Sequence, residues 1–209
     1  REGRLLVTNR LDFEDYVACV ATSEMSAACP EALIQAQTIA ARSWMLANVE
    51  HKHRSQQIDV CNDDCCQRYQ GATFLTDNSV QGTATTRGQV LMYEKIICDA
   101  RYSKSCGGMM ESFATAWGGA EVPYLQVKPD SFTSDAEVDL KNPAVFADWV
   151  SQPPNAFCSP KVIPETELVQ YLGGVDEEGA YFRWRIEILE KDLVERLNKH
   201  TRLQISEVI

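Results

Sequence analysis

The chain has 209 residues and a mass of 23.4 kDa, enough for one sizeable hydrophobic core with trimmings. Its 44% apolar and 24% charged residues exclude collagen-like, low-complexity and disordered classes, and no apolar run reaches membrane-spanning length. A net charge of -10 disfavours nucleic acid and anionic lipid as partners and suits an uncharged substrate; eight cysteines are unusually many for a cytosolic enzyme.

In chain order, 4–8 reads as a short strand. Asp12 then caps a first helix that runs to about Met25. Pro30 suits the first turn of a second helix over Glu31 to about Asn48, with Leu33, Ala36, Ala40, Trp44 and Ala47 at spacings of three and four. The stretch 51–71 is polar, Cys-rich and without a period, so it is expected to be a long surface loop. A third helix is expected over 75–87, starting near Thr76 and Asp77 and closed by Gly88. Two apolar runs, 89–93 and 96–102, flank Glu94-Lys95 and predict a hairpin. Residues 112–117 suit a helix and 124–128 a strand, and 129–160 reads as irregular. A segment at 164–172 closed by Gly173 and Gly174, a strand over 181–189 and a helix over 190–200 complete an α+β pattern. The opening on Arg1 without Met and the end at Ile209 in a strand-like stretch suggest a fragment, so the lack of a targeting segment says nothing about location.

At about 100° per residue, Phe13, Val17 and Val20 define an apolar stripe on the first helix, with Glu24 near its centre. Burial and the negative end of the helix dipole both disfavour an ionised carboxylate there, as a general acid for glycosidic cleavage requires. The alternative is a helix-end side chain that reaches water. Glu31, in the first turn of the second helix, sits where the dipole favours the anion; facing the same cleft, it would be the charged partner of a carboxylate pair.

Cys61, Cys65 and Cys66 place three sulfurs within six residues, beside Asp63 and Asp64. Thiolates select zinc, with His51 and His53 near enough to assist; disulfide bonding or free thiols are the competing readings. Cys106, before Gly107 and Gly108, could serve as a thiolate nucleophile, but no local cysteine-hydrolase signature surrounds it. Cys19 and Cys98 sit inside regular elements as small core residues, whereas Cys29 and Cys158 are free to pair or to stay reduced.

Five ordered motifs then carry a family resemblance. Asp15-Tyr16-Val17, Ser23-Glu24-Met25 and the run from Pro30-Glu31-Ala32-Leu33 to Ala40-Ala41-Arg42 resemble the opening of the SpoIID/LytB family, the stage II sporulation protein D and amidase-enhancer proteins. The likeness continues through Cys61 to Cys66-Gln67-Arg68-Tyr69-Gln70-Gly71, Gly88-Gln89-Val90, Ala100-Arg101-Tyr102-Ser103, Ser105-Cys106-Gly107-Gly108, Trp117-Gly118 and Pro123-Tyr124-Leu125, all within about residues 12–130. Residues 131–209 match loosely, as a looser C-terminal part of a single SpoIID/LytB-like domain spanning 1–209. The chain departs from the family pattern at Ser26, where the family has Pro, at Cys65, where it has His, and at Met110, where it has Thr.

The resemblance implies a peptidoglycan lytic transglycosylase that cleaves the MurNAc–GlcNAc bond and leaves a 1,6-anhydro-MurNAc end. Its catalytic glutamate matches Glu24 or Glu31, of which the helix argument favours Glu24. It assigns substrate contacts to Gln37, Arg42, Tyr69, Ser103, Ser105, Gly107 and Gly108. It also assigns zinc to Cys61 and Cys66, with Cys65 or Cys106 as further candidates, while the reaction requires no cofactor. The implied partners are peptidoglycan glycan strands and a cell-wall amidase, not nucleic acid, and a non-catalytic, glycan-binding enhancer of such an amidase is the alternative function. The implied location is extracytoplasmic, in the envelope or secreted, with a membrane anchor outside this sequence as one arrangement.

Overall fold

A computed structural model of the chain describes residues 5–131, 138–172, 182–201 and 204–207. Three helices form its centre: α1 (Phe13–Glu24), α2 (Glu31–Ala47) and α3 (Asp77–Thr85). Each start has a local cause. The Asp12 side chain accepts from the Glu14 N–H at 2.9 Å, Pro30 presets the backbone entering α2, and Thr76 with Ser79 forms a reciprocal capping box on α3.

Val17 and Val20 of α1 and Ala41 of α2 are fully buried, and Tyr16 nearly so; Phe13, Met45, Val60 and Tyr69 close around them. A second cluster joins Met25, Cys29 and Ile34. The buried face of α2 is not the Leu33, Ala36, Ala40, Ala47 stripe. Ala36 is exposed, and Ile34, Gln37, Thr38, Ala41, Arg42 and Trp44 turn inward. Polar side chains can occupy this face because they are satisfied there: Thr38 Oγ1 donates to the Ile34 carbonyl at 2.9 Å, and Arg42 is paired. Gly82 of α3 permits the close approach to α2, since a Cβ at that position would lie 2.6 Å from Ile34 Cγ2.

Beyond this bundle lie short antiparallel pairs, so the architecture is α+β. Strands β1 (Met92–Tyr93) and β2 (Ile96–Ile97) pair as Met92 with Ile97 and Tyr93 with Ile96, across a Glu94-Lys95 turn in which both residues have positive φ. The next pair is β3 (Met109–Met110) with β4 (Lys128–Pro129), and the short helix α4 (Phe113–Trp117) lies between them, capped by Ser112. Helices α5 (Pro143–Ser151), α6 (Glu165–Leu172) and α7 (Glu190–His200) follow.

Three expectations need correction. Residues 129–160 are not irregular throughout, because Asn142 caps α5 and Pro143 fills its first turn. Residues 5–8 form no strand and leave Leu5 and Val7 exposed. The strand expected over 181–189 begins outside the described residues, and 182–189 form none; Trp184 and Ile186 are exposed there. In both segments the apolar pattern lacks a neighbouring strand among the described residues to pair with. Gly173 and Gly174 lie outside the described residues. No helix among the described residues is long and apolar enough to cross a membrane.

Candidate functional site

Glu24 is the last residue of α1, beyond the fully buried Val17 and Val20, so the stripe that carries it is the core face of the helix. Its side chain is half-buried in the wall of a cavity of about 240 Å³. Oε1 accepts the Arg68 N–H at 2.9 Å and the Tyr102 hydroxyl at 3.2 Å. Both hydrogen bonds fall on one oxygen, which leaves Oε2 without a protein donor among the described residues.

Tyr102 is positioned in turn by Gln67, the buried hub of the site. Gln67 Nε2 donates to the Tyr102 hydroxyl and to the Ala41 carbonyl, each at 3.2 Å, while its Oε1 accepts from the Tyr16 hydroxyl at 3.1 Å. Burial raises the ionisation of both phenols well above the ordinary tyrosine range; the neighbouring Cys66 thiol adds to the shift at Tyr16, and the Glu24 charge at Tyr102. Both stay neutral hydroxyls and act as donors.

The cavity wall also carries Trp44, Asp64, Cys65, Ser103 and Trp117, and three cations, Lys52, Arg101 and Lys104. Arg101 pairs with Asp99 at 2.9 Å and Glu50 at 2.6 Å, and its guanidinium lies 5.2 Å from the centre of the Trp117 ring. Trp117 stacks on Phe113 and is half-exposed, presenting an aromatic face at the cavity mouth. Lys52 also pairs with Glu50, at 2.6 Å, so two of the three cations are matched by carboxylates beside the opening.

Below Glu24 lies the Cys-rich loop. His53, Cys61, Cys65 and Cys66 each offer one donor atom, all within 4.8 Å of one another; Cys61 and Cys65 sulfurs are 3.1 Å apart, and His53 Nε2 is 3.7 Å from Cys65 Sγ. Three sulfurs and one imidazole nitrogen are a donor set that fits four-coordinate zinc. Two clips tie the exit of this loop to the end of α1: Arg68 N–H to Glu24, and Gln70 N–H to Ser23 Oγ at 3.0 Å.

Residues 1–93 match the family model described as SpoIID, stage II sporulation protein. The chain is 31% identical over 121 residues to an uncharacterized protein of Brachyspira hyodysenteriae, covering 58% of this chain and 33% of that one. It is also 31% identical over 119 residues to the amidase enhancer of Bacillus subtilis, covering 57% of this chain and 15% of that protein. The chain therefore spans a third or less of the relatives it matches.

The residues expected at the site divide into two groups. Glu24, Cys65, Cys66 and, beyond residue 93, Ser103 line the cavity. Glu31 does not: it is exposed and accepts from Gln35 Nε2 at 2.8 Å, so the two carboxylates are not brought into one cleft. Arg42 is fully buried, holding Glu14 through two hydrogen bonds of 3.1 and 2.7 Å and the Gln89 carbonyl at 3.0 Å. Gln37 is buried too, with its Nε2 lacking a partner among the described residues. Tyr69 stacks on Tyr16 at 5.6 Å and accepts from Asn9. These three serve the interior and do not line the cavity.

Gly107 and Gly108 have φ of 69° and 100°. The close approach they permit is to protein: a Cβ on Gly108 would lie 2.8 Å from Pro154 Cγ and 3.2 Å from Trp149. Ser105 caps this turn and, like both glycines, lies off the cavity wall. Cys106 is apart from the zinc-type cluster and faces Cys158 and Asp130, with no histidine in the group. Cys29 is in the core, so it is no partner for Cys158.

Gln67, Tyr102 and Trp117 are the site residues that sequence reasoning left without a role. Each stood in a quoted motif, but Tyr102 is tied to Glu24 by contact across 78 residues of chain, and Gln67 to Tyr102 by contact across 35.

Proposed function

We propose that the chain is a glycan-cleaving module of the bacterial cell wall, a peptidoglycan lytic transglycosylase with Glu24 as its single acid/base. The observation that carries this reading is the Glu24 carboxylate on the cavity wall, anchored through Oε1 with Oε2 unengaged. In acid form, Glu24 gives its proton to the glycosidic oxygen as the bond from that oxygen to the muramic C1 breaks. As carboxylate, it then takes the proton of the C6 hydroxyl while that oxygen bonds to C1. The 1,6-anhydro ring closes, the proton returns to Glu24 and no water is consumed. A mechanism with one carboxyl in two roles needs no second carboxylate at fixed distance, in keeping with Glu31 lying outside the cavity.

The remaining wall supports the same substrate. Trp117, half-exposed on the wall, suits stacking on a sugar ring. Zinc belongs to this reading as a structural ion on His53, Cys61, Cys65 and Cys66. Bound there, it would cross-link the loop that supplies the Arg68 N–H. The location that goes with this substrate is outside the cytoplasm.

Incubation with purified glycan strands, followed by mass analysis, tests the proposal. Anhydro-muramic ends are expected from the chain and not from Glu24→Gln; their absence from both, or their persistence in the variant, overturns it. The name of the Bacillus subtilis relative favours a second reading, a glycan-binding enhancer of a cell-wall amidase. That reading predicts binding to glycan without cleavage and increased hydrolysis only when an amidase is added.

A further inference from the structure

Cys106 and Cys158 are 52 residues apart in the chain, yet their sulfurs lie 3.7 Å from each other. The approach is built by the backbone on both sides. Met109 pairs with Pro129, the Asp130 N–H donates to the Gly108 carbonyl at 3.1 Å, and the Phe157 N–H donates to the Asp130 carbonyl at 2.8 Å. The Asp130 carboxylate then accepts the Cys158 N–H at 3.2 Å. Three lengths of chain, entering at Cys106, Asp130 and Phe157, are thereby laid side by side. Arg183 fixes the same frame from behind, donating to the carbonyls of Gly107 at 3.0 Å and Trp149 at 3.1 Å. Gly108, seated against Pro154 and Trp149, lets the two segments close up.

From this arrangement we propose that Cys106 and Cys158 form a disulfide, which staples the loop at 103–108 to the segment that follows α5. A disulfide needs its sulfurs at ~2.05 Å, so the pair has to close by about 1.6 Å from its 3.7 Å separation. A metal is the poorer fit. The group offers three donors, Cys106, Cys158 and one Asp130 carboxylate, against the four of a closed zinc site, and that carboxylate is already engaged by a backbone N–H. The bond forms by exchange with a disulfide oxidant. The Cys158 thiolate attacks one oxidant sulfur and expels the other as a thiol. The Cys106 sulfur, losing its proton, then attacks Cys158 in the mixed disulfide and releases the second thiol. Two protein thiols give up two protons and two electrons, and the oxidant disulfide takes them. Burial pushes the Cys106 thiol up to about 12, which disfavours it in the first attack; its later attack draws on the closeness of the mixed disulfide at Cys158. The staple is independent of the role given to Glu24, but the loop it holds carries Ser103 and Lys104 into the cavity wall.

The test is a peptide map of the intact chain, kept in zinc to protect the other thiols, before and after exposure to glutathione disulfide. After trypsin without reductant, a cross-linked species joining 105–141 to 142–161 is expected, lost on reduction. Alkylation of both cysteines is expected to fall at least about tenfold in the oxidised chain. Cys158→Ser should restore labelling of Cys106; because the map is made on the unaltered chain, it decides the matter even if that variant folds poorly. Full alkylation of both thiols after oxidation, linkage of Cys106 to Cys61, Cys65 or Cys66, or protection reversed by a chelator instead of a reductant would each overturn the proposal.

Discussion

The Tyr102 hydroxyl donates to Glu24 Oε1 at 3.2 Å and is itself held by Gln67 Nε2 at 3.2 Å, so a carboxylate at a helix end is oriented from a loop 78 residues away. Tyr102→Phe removes that donor and leaves the buried Gln67 amide one acceptor short. Formation of anhydro ends should fall about ten- to a hundredfold from misorientation of Glu24. Stability should drop by about 1–3 kcal/mol, read from urea unfolding. Activity unchanged in a stable Tyr102→Phe chain would separate Tyr102 from the positioning of Glu24.

Arg42 is 1% exposed and bidentate to Glu14, so its removal strands a buried carboxylate. Arg42→Ala should cost about 3–5 kcal/mol, close to the whole stability of many domains. Glycan binding per folded molecule should change little, because Arg42 does not reach the cavity. Separate measurement of the melting temperature and of glycan affinity distinguishes this from a substrate contact, which would weaken affinity and spare the melt.

How legible the molecule was depends on the range of the interaction that decides each part. Asp12, Pro30 and Thr76 announce their helices because capping chemistry acts within three residues, and Glu94-Lys95 announces its hairpin for the same local reason. Asn142-Pro143 carried an equally local start signal for α5, inside a stretch that reads as irregular because it has no hydrophobic period. Glu24 could be found because the period of one helix suffices to put it on the core face. The inward face of α2 was displaced because hydropathy does not anticipate that Thr38 and Arg42 bury once their partners arrive from elsewhere. Gln67 and Tyr102 acquire their function from tertiary contacts, and no periodicity or spacing encodes those.

Elemental analysis of protein purified without chelator should find about one zinc per chain, held by His53, Cys61, Cys65 and Cys66. Chelation should lower the melting temperature by at least about 5 °C, since the ion binds the folded loop alone, and His53→Ala should weaken zinc retention. A chain that binds no zinc and melts identically with and without chelator would assign these thiols another role.

Alkaline titration followed at 295 nm offers a probe of the hydroxyl network. Tyr16 and Tyr102 have ionisation raised in the folded state. The stability they contribute is fully present below the unfolded tyrosine value of about 10 and is lost as pH rises through the folded values. These two phenolates should therefore appear late in the titration. In Glu24→Gln, which removes the neighbouring charge, Tyr102 should ionise at lower pH than in the parent chain.

Gly82→Ala tests the contact between α2 and α3. The added methyl would sit 2.6 Å from Cγ2 of Ile34, which is fully buried. Overpacking of about 1–3 kcal/mol should outweigh the gain of about 1 kcal/mol in helix propensity, giving a net loss on thermal unfolding.

Cys66, Gln67 and Arg68 are consecutive, and each has a separate place: member of the His53–Cys66 donor cluster, hub of the hydroxyl network, and backbone donor to Glu24. There is no slack in the chain between them. Insertions between His53 and Cys61 can be absorbed as extra surface loop, whereas a single residue added between Cys66 and Arg68 would force a choice between the ligand cluster and the carboxylate. The tolerance of this loop to changes in length is therefore lopsided, generous on its entering side and nil on its leaving side.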